Sequence, residues 1–237
     1  MIYRYTATVL QYIFFLPVRI ILRYFLNIKI TGLSHIDNLD TIRGGKGLLV
    51  ASNHTSQLDS LIVPTCLPYI TGLLPWLFVS KGKGNYERFP IGKHIYGGWL
   101  FDIFGCVSVT SGTGSYAEAL SKHLKLINAG STMLIYPEGR VTLTEKTRQV
   151  HGGIGYLALE SRAPVLPIFL SGHQGITFID FLLRKRKVEV HIGKPQMYDK
   201  PINIALEPAS VSKNDNVYKS TSVKIMDNLL TRNSRGN

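Results

Sequence analysis

The chain has 237 residues, enough for one domain or two small ones, with 45% hydrophobic residues, 18% charged residues and a net charge of +12. A mean hydropathy of +0.09 is high for a freely soluble protein, and the basic excess implies an anionic partner: nucleic acid, anionic lipid or an acidic carrier protein. Cys66 and Cys106, the only cysteines, both lie in apolar runs; this excludes a cysteine metal motif and favours buried, reduced thiols over a disulfide.

Residues 1–30 form the most apolar segment. Tyr5 to Val18 is almost uncharged, but it is about 14 residues long, contains Gln11 and is interrupted by Pro17. That is short of the ~20 residues needed to span a bilayer. Beyond the proline, Arg19, Arg23 and Asn27 recur every four residues on an otherwise apolar and aromatic helix. This pattern predicts a helix lying in the membrane interface. A span running through Arg19 is the alternative; no small-residue cleavage site follows, which argues against a secretory signal.

Ile28 to Leu33 alternates and predicts a strand, and Asp37 to Lys46 a polar loop. Leu48 to Ala51 is a short apolar run that reads as a buried strand. It ends in Ser52-Asn53-His54-Thr55-Ser56-Gln57-Leu58-Asp59, and Gln57 to Leu67 reads as a short helix bent or ended near Pro64. Residues five apart on an ideal helix sit about 140° apart. His54 and Asp59 therefore meet only if the histidine lies in the loop and the aspartate in the first turns. A carboxylate on one imidazole nitrogen fixes the tautomer and leaves the other nitrogen as a general base. Taken alone, the stretch is equally a capping loop with a surface histidine.

Pro75 to Lys81 predicts another strand, Gly82 to Gly98 is glycine-rich and basic, and Gly105 to Thr110 is a third buried strand. Ser115 caps a predicted helix that runs to Ala129 and is ended by Gly130. Thr132 to Tyr136 is a strand leading into Pro137-Glu138-Gly139-Arg140, where the glycine lets the backbone approach a ligand and the arginine offers a planar fork for phosphate or carboxylate. Gly153 to Ser161 is a short helix, and Val165 to Leu170 and Val188 to Ile192 are strands. The cluster Arg184-Lys185-Arg186-Lys187 follows the apolar Phe178, Ile179, Phe181, Leu182 and Leu183, which suits an anionic membrane surface, an acidic carrier protein or a solvated strand entry. Residues 197–237 are polar, with a loose helix near Val217 to Leu230 or a mobile tail. Short apolar strands alternating with helices predict an α/β fold with a mostly parallel central sheet flanked by helices. Sites in such sheets gather at the carboxyl ends of strands, and His54 and Glu138 each follow one.

Taken together, these motifs resemble the glycerolipid acyltransferase family that includes the 1-acylglycerol-3-phosphate acyltransferases. Asn53-His54-Thr55-Ser56-Gln57-Leu58-Asp59 matches its histidine-x4-aspartate motif, Tyr136-Pro137-Glu138-Gly139 its aromatic-Pro-Glu-Gly turn, and Ala163-Pro164-Val165-Leu166-Pro167-Ile168 its later proline strand. Phe78-Val79-Ser80-Lys81 and Phe89-Pro90-Ile91-Gly92 resemble the intervening segment. The similarity covers about residues 30–195 in the right order.

The resemblance implies acyl transfer from a thioester, on acyl carrier protein or coenzyme A as co-substrate, to a lipid hydroxyl. No further cofactor, metal or nucleic acid is implied. By motif, His54 is the base and Asp59 its partner; Glu138, Gly139 and Arg140 bind the acceptor's head group, and Pro167 shapes a substrate pocket. Ser111 stands where the family usually has an arginine for the acceptor phosphate, and Arg140 directly follows Gly139 where many members interpose a threonine. A lysophospholipid or an acceptor without a phosphomonoester therefore stays open beside lysophosphatidate, with Arg140, Lys81 or Arg148 supplying the missing charge. Residues 1–30 are expected to be a membrane-associating segment, 31–196 the acyltransferase domain and 197–237 a polar extension. The site is expected on the cytoplasmic side of a membrane, and the oligomeric state is left open. A non-catalytic lipid-binding module of the same fold, and a hydrolase using the same base, are the rival readings; a nucleic-acid binder lacks a module to support it. Of the remaining histidines, His151 and His173 lie near glycines and are the two with a claim on the site, while His35, His94, His123 and His191 read as capping, solvent-facing or packing residues.

Overall fold

A computed structural model describes residues 2–68, 72–80, 102–110, 112–142, 149–200 and 211–231. Seven strands form one sheet in the order β1-β7-β6-β2-β5-β3-β4. They are β1 (Lys29–Thr31), β2 (Leu48–Ser52), β3 (Trp76–Ser80), β4 (Cys106–Ser108), β5 (Thr132–Ile135), β6 (Val165–Ser171) and β7 (Glu189–Ile192). β6, β2, β5, β3 and β4 run parallel; β7 is antiparallel to β6, and β1 follows β7's direction. β2 and β5 are buried at every position, as expected of central strands covered on both faces.

The helices are α1 (Ile2–Leu26), α2 (Leu39–Arg43), α3 (Asp59–Cys66), α4 (Tyr116–Ala119), α5 (Ser121–Asn128), α6 (Gly153–Ser161), α7 (Phe178–Leu182) and α8 (Val211–Leu230). One core cluster joins Phe15, Leu22 and Leu26 of α1 and Ile62 and Val63 of α3 to Val50, Leu134 and Ile168 of the sheet. The other joins Ile127 of α5, Leu157 of α6 and Ile225 and Leu229 of α8 to Leu49, Met133 and Val165. Alternate residues of each strand thus feed opposite layers, as the period of two requires. Cys66 is buried, Cys106 half-buried, and both are free; burial pushes both thiols up to about 12.

Several local expectations are corrected. α1 runs through Pro17 as one helix, so Tyr5–Leu26, at 22 residues and a mean hydropathy of 1.6, is long and apolar enough to cross a membrane by length and composition. An interior proline loses one backbone hydrogen bond and crowds the preceding turn; Phe15, Leu22 and Leu26 on either side of it are buried in the core and offset that cost. Asn27, counted with the basic stripe, is a left-handed residue at φ 45 just past the helix end. Arg19 turns inward and donates to the carbonyl of Leu67, just beyond α3, at 2.6 Å. α2 occupies the expected polar loop. The predicted Ser115 to Ala129 helix is divided at Leu120. The carboxyl-terminal helix, expected to be loose or mobile, is docked: Gly155 of α6 donates to Ser222 Oγ at 2.9 Å, and a Cβ on Gly155 would lie 2.0 Å from the Tyr218 carbonyl oxygen.

Gln11 is a polar break in the sequence and an anchor in the fold. Its side chain is fully buried. Its amide donates to the carbonyls of Trp76 and Phe104 at 2.8 and 2.9 Å and accepts from Trp76 N at 2.7 Å. Gln11→Leu leaves these backbone groups without that partner, so it is expected to cost about 1–3 kcal/mol, seen as a lower denaturant midpoint.

Candidate active site

Three adjacent parallel strands, β6, β2 and β5, end at the same edge of the sheet. The chain leaving β2 carries Asn53, whose buried amide pairs with the backbone of β6: Nδ2 donates to Leu170 O at 2.9 Å and Leu170 N donates to Oδ1 at 2.8 Å. Asn53 thus works as a side-chain extension of the ladder. The next residue is His54.

His54 lies in the loop and Asp59 is the first residue of α3, the arrangement the five-residue spacing required. Imidazole Nδ1 is 3.0 Å from Asp59 Oδ2. The same oxygen accepts from Thr55 N at 2.8 Å and Ser56 N at 3.0 Å. The other carboxylate oxygen is hydrogen bonded to His173 Nε2. Asp59 is fully buried. Burial by itself would raise its carboxyl, but the hydrogen bonds from His173 and His54, His173's charge when protonated, and the Ser56 amide outweigh it and hold the group below its ordinary range. The His54 side chain keeps 14% of its surface exposed, so the imidazole remains reachable while its partner is sealed.

β5 delivers Tyr136 against the other face of the imidazole. The two rings are stacked with centroids 3.9 Å apart and planes 10° from parallel. The phenol meets Ser60 Oγ at 3.0 Å, and burial, together with the Asp59 charge, raises it well above its ordinary value. A phenol so disfavoured as an anion is a packing and hydrogen-bonding group here. The turn that follows closes through Gly139 N donating to Tyr136 O at 3.0 Å, and it is tied to the histidine by Thr142 N donating to His54 O at 2.7 Å. Gly139 needs to be glycine: its φ is +65, and a Cβ would meet the His151 ring at 2.9 Å.

The two motifs identified in the sequence therefore converge. Glu138 is buried, whereas Gly139 and Arg140 are exposed on the turn. Pro167 is buried within β6, paired in register with Ala51, in the sheet and not in the loops at its rim. Lys81, Ser111 and Arg148 lie outside the described residues. His151 borders a cavity of about 420 Å³ that is also lined by Tyr116, Gln149, Gly152 and Lys219. Two participants escaped the sequence reading: Tyr136, hidden inside a motif read for its carboxylate and glycine, and the full part played by His173, which is 114 residues from Asp59. Among the described residues no group of three or more His, Cys, Asp or Glu side chains is arranged to hold a metal ion.

Residues 27–171 match the family model described as Acyltransferase. A probable 1-acyl-sn-glycerol-3-phosphate acyltransferase from Mycoplasma pneumoniae is 27% identical over 164 residues, which is 67% of this chain and 58% of that protein. A lyso-ornithine lipid O-acyltransferase from Pseudomonas aeruginosa is 28% identical over 124 residues, 52% of this chain and 43% of that protein. The chain thus spans about half the length of these curated relatives. The crystal structure of the 1-acyl-sn-glycerophosphate acyltransferase PlsC from Thermotoga maritima aligns with a TM-score of 0.49 and 15% identity, covering 90% of this chain and 78% of that one.

Proposed function

This chain belongs to the acyltransferase family, and on that premise we propose that it moves a fatty acyl group from a thioester, on acyl carrier protein or coenzyme A, to the hydroxyl of a lysophospholipid or lysophosphatidate. The observation that carries the proposal is the His54–Asp59 contact at the carboxyl edge of the sheet. With Nδ1–H directed to the carboxylate, Nε2 is the base. It takes the acceptor hydroxyl proton as oxygen attacks the thioester carbonyl, and Asp59 stabilises the imidazolium that forms. The carbon–sulfur bond then breaks and the departing thiolate receives that proton. The stacked Tyr136 ring restricts imidazole rotation. Arg140, exposed on a turn tied to the His54 loop, is the cation offered to an anionic head group, and the neighbouring cavity with Lys219 is of a size to take its polar part.

We also read the protein as docked on the cytoplasmic face of a membrane through α1 and α7. One face of α1, with Ala7, Gln11, Phe15, Leu22 and Leu26, is buried against the domain, while Val9, Ile13, Leu16, Ile20 and Tyr24 on its other faces are exposed. α7 stacks Phe181 on Phe25 with centroids 4.8 Å apart. It leaves Phe178 and Ile179 74% and 64% exposed, and Arg184 sits over the Tyr24 ring at 4.3 Å. A helix committed to the domain along one side and apolar on the rest suits an interfacial position better than a span. An apolar face edged by cations suits the anionic cytoplasmic leaflet. The double variant Phe178→Ser with Ile179→Ser is expected to weaken binding to anionic vesicles at least about tenfold in a sedimentation assay. Unchanged partitioning would remove α7 from the docking face.

The test of the reaction is direct. The purified protein is incubated with acyl-thioesters and a panel of lysolipids, and the products are identified by mass. Acylated lipid is the expected product; free fatty acid alone, or no turnover with any acceptor, would overturn the reading.

A further inference from the structure

We infer that His173 is a positioning residue of this site, holding Asp59 so that the His54 imidazole is kept in one tautomer. The inference rests on the reading of His54 as the base.

The geometry is specific. β6 ends at Ser171, and Gly172 turns the chain at φ +87. No other residue fits there, because a Cβ would lie 2.1 Å from the Lys187 carbonyl oxygen. The turn sends His173 back under the β2 loop, where it is fully buried. Its Nε2 is hydrogen bonded to Asp59 Oδ1 and lies 3.2 Å from Thr55 Oγ1. Its Nδ1 is buried and has no hydrogen-bond partner among the described residues.

These contacts fix which atom donates. A carboxylate accepts, so the Nε2 facing it carries a proton. His173 is therefore a donor clamped on one carboxylate oxygen. Asp59 is held at both ends: Oδ1 by His173, and Oδ2 by His54 and the Thr55 and Ser56 amides. Rotation of the carboxylate about its Cβ–Cγ bond breaks all of these bonds together. Without His173, Oδ2 is restrained from one side only, and the plane of the carboxylate can leave the line of His54 Nδ1. The imidazole then loses the contact that selects Nδ1–H, and part of the population carries its proton on Nε2, where it cannot act as a base.

His173→Leu keeps the volume apolar and removes the donor. Its kcat for acyl transfer is expected to fall about 10- to 100-fold, the scale set by misplacing a catalytic group by an ångström or less, while KM for donor and acceptor stays within about twofold. Nitrogen chemical shifts of the His54 ring should move from the single Nδ1–H pattern towards a mixture. His173→Gln, whose amide reaches the Nε2 position, should return kcat to within about threefold, whereas the shorter His173→Asn should not. Wild-type kcat and an unchanged His54 tautomer in the leucine variant would overturn the inference. If the leucine variant does not fold, the Gln and Asn variants decide: equal activity in those two overturns it. His54→Ala, assayed beside them, separates the two readings. An inactive alanine variant with a fully active leucine variant sinks only the role of His173. An active alanine variant sinks His54 as the base, while the tautomer measurement still judges the clamp.

Discussion

His54→Ala is expected to lower acyl transfer by about 10²–10⁴-fold, the ordinary worth of a positioned general base, while leaving the protein folded. The separation of effects follows from where the ring sits. His54 is in a loop between β2 and α3, and its side chain keeps partial access to solvent. Its backbone carbonyl, not its ring, accepts from Thr142 and ties down the turn after β5, and alanine preserves that bond. The variant should therefore match the wild type in circular dichroism, with its stability lowered by about 1–3 kcal/mol for the hydrogen bond that buried Asp59 loses. Transfer rates measured on matched folded protein are the check. Retention of most of the wild-type rate would sink the assignment.

The second large effect is on stability. Asp59→Ala removes one buried carboxylate and leaves the ring nitrogens of His54 and His173 and the amides of Thr55 and Ser56 without their acceptor. Breaking a buried charged partner in this way costs about 3–5 kcal/mol. Urea midpoints at neutral pH should show the loss, and activity should fall with it because the imidazolium is no longer stabilised. The pH dependence has a definite sign. The folded carboxyl lies below its unfolded value, so its stabilisation is complete above the ordinary carboxylate range, near pH 4, and is lost as the pH falls through the depressed folded value. The gap between wild type and Asp59→Ala should therefore be full at pH 7 and shrink in strong acid. A gap that widens on acidification would contradict the assignment. Asp59→Asn should be milder in stability, since one oxygen still accepts, yet it too should slow transfer because it offers no charge to the imidazolium.

Elements whose identity is set by local pattern were legible in the sequence. Leu48 to Ala51, Thr132 to Tyr136 and Val165 to Leu170 were read within a residue of β2, β5 and β6, and Gly153–Ser161 was read in full. These are the buried central strands and the helix packed on them, where hydrophobic period and turn residues agree. The pairing of His54 with Asp59 was also legible, because a spacing of five constrains a loop–helix junction. Long-range terms were not. Pro17 looks like a stop until the packing around it is known, and the polar α8 looks loose until Ser222, Ile225 and Leu229 are seen against α6 and the sheet. The reversal of β7 leaves no local mark, since an alternating strand reads the same in either direction. α7 did carry a signal: Thr177 and Asp180 form a capping box, recognisable as Thr-x-x-Asp before any coordinates exist. His173 carried only its neighbouring glycines as a signal; its contact with Asp59 was not legible, because it depends on the register between two strands far apart in the chain.

That register has a consequence for how this molecule can vary. Ala51 stands opposite Pro167 and Ser52 opposite Ile168, and the Asn53–Leu170 amide pair locks the alignment one step further on. Removing a single residue from either strand would swing everything beyond it to the reverse side of the sheet, sending one imidazole into the wrong layer. Length changes are therefore admissible in the connecting loops but not within the two strands, and related sequences should carry their insertions and deletions outside Leu48–Asp59 and Val165–His173.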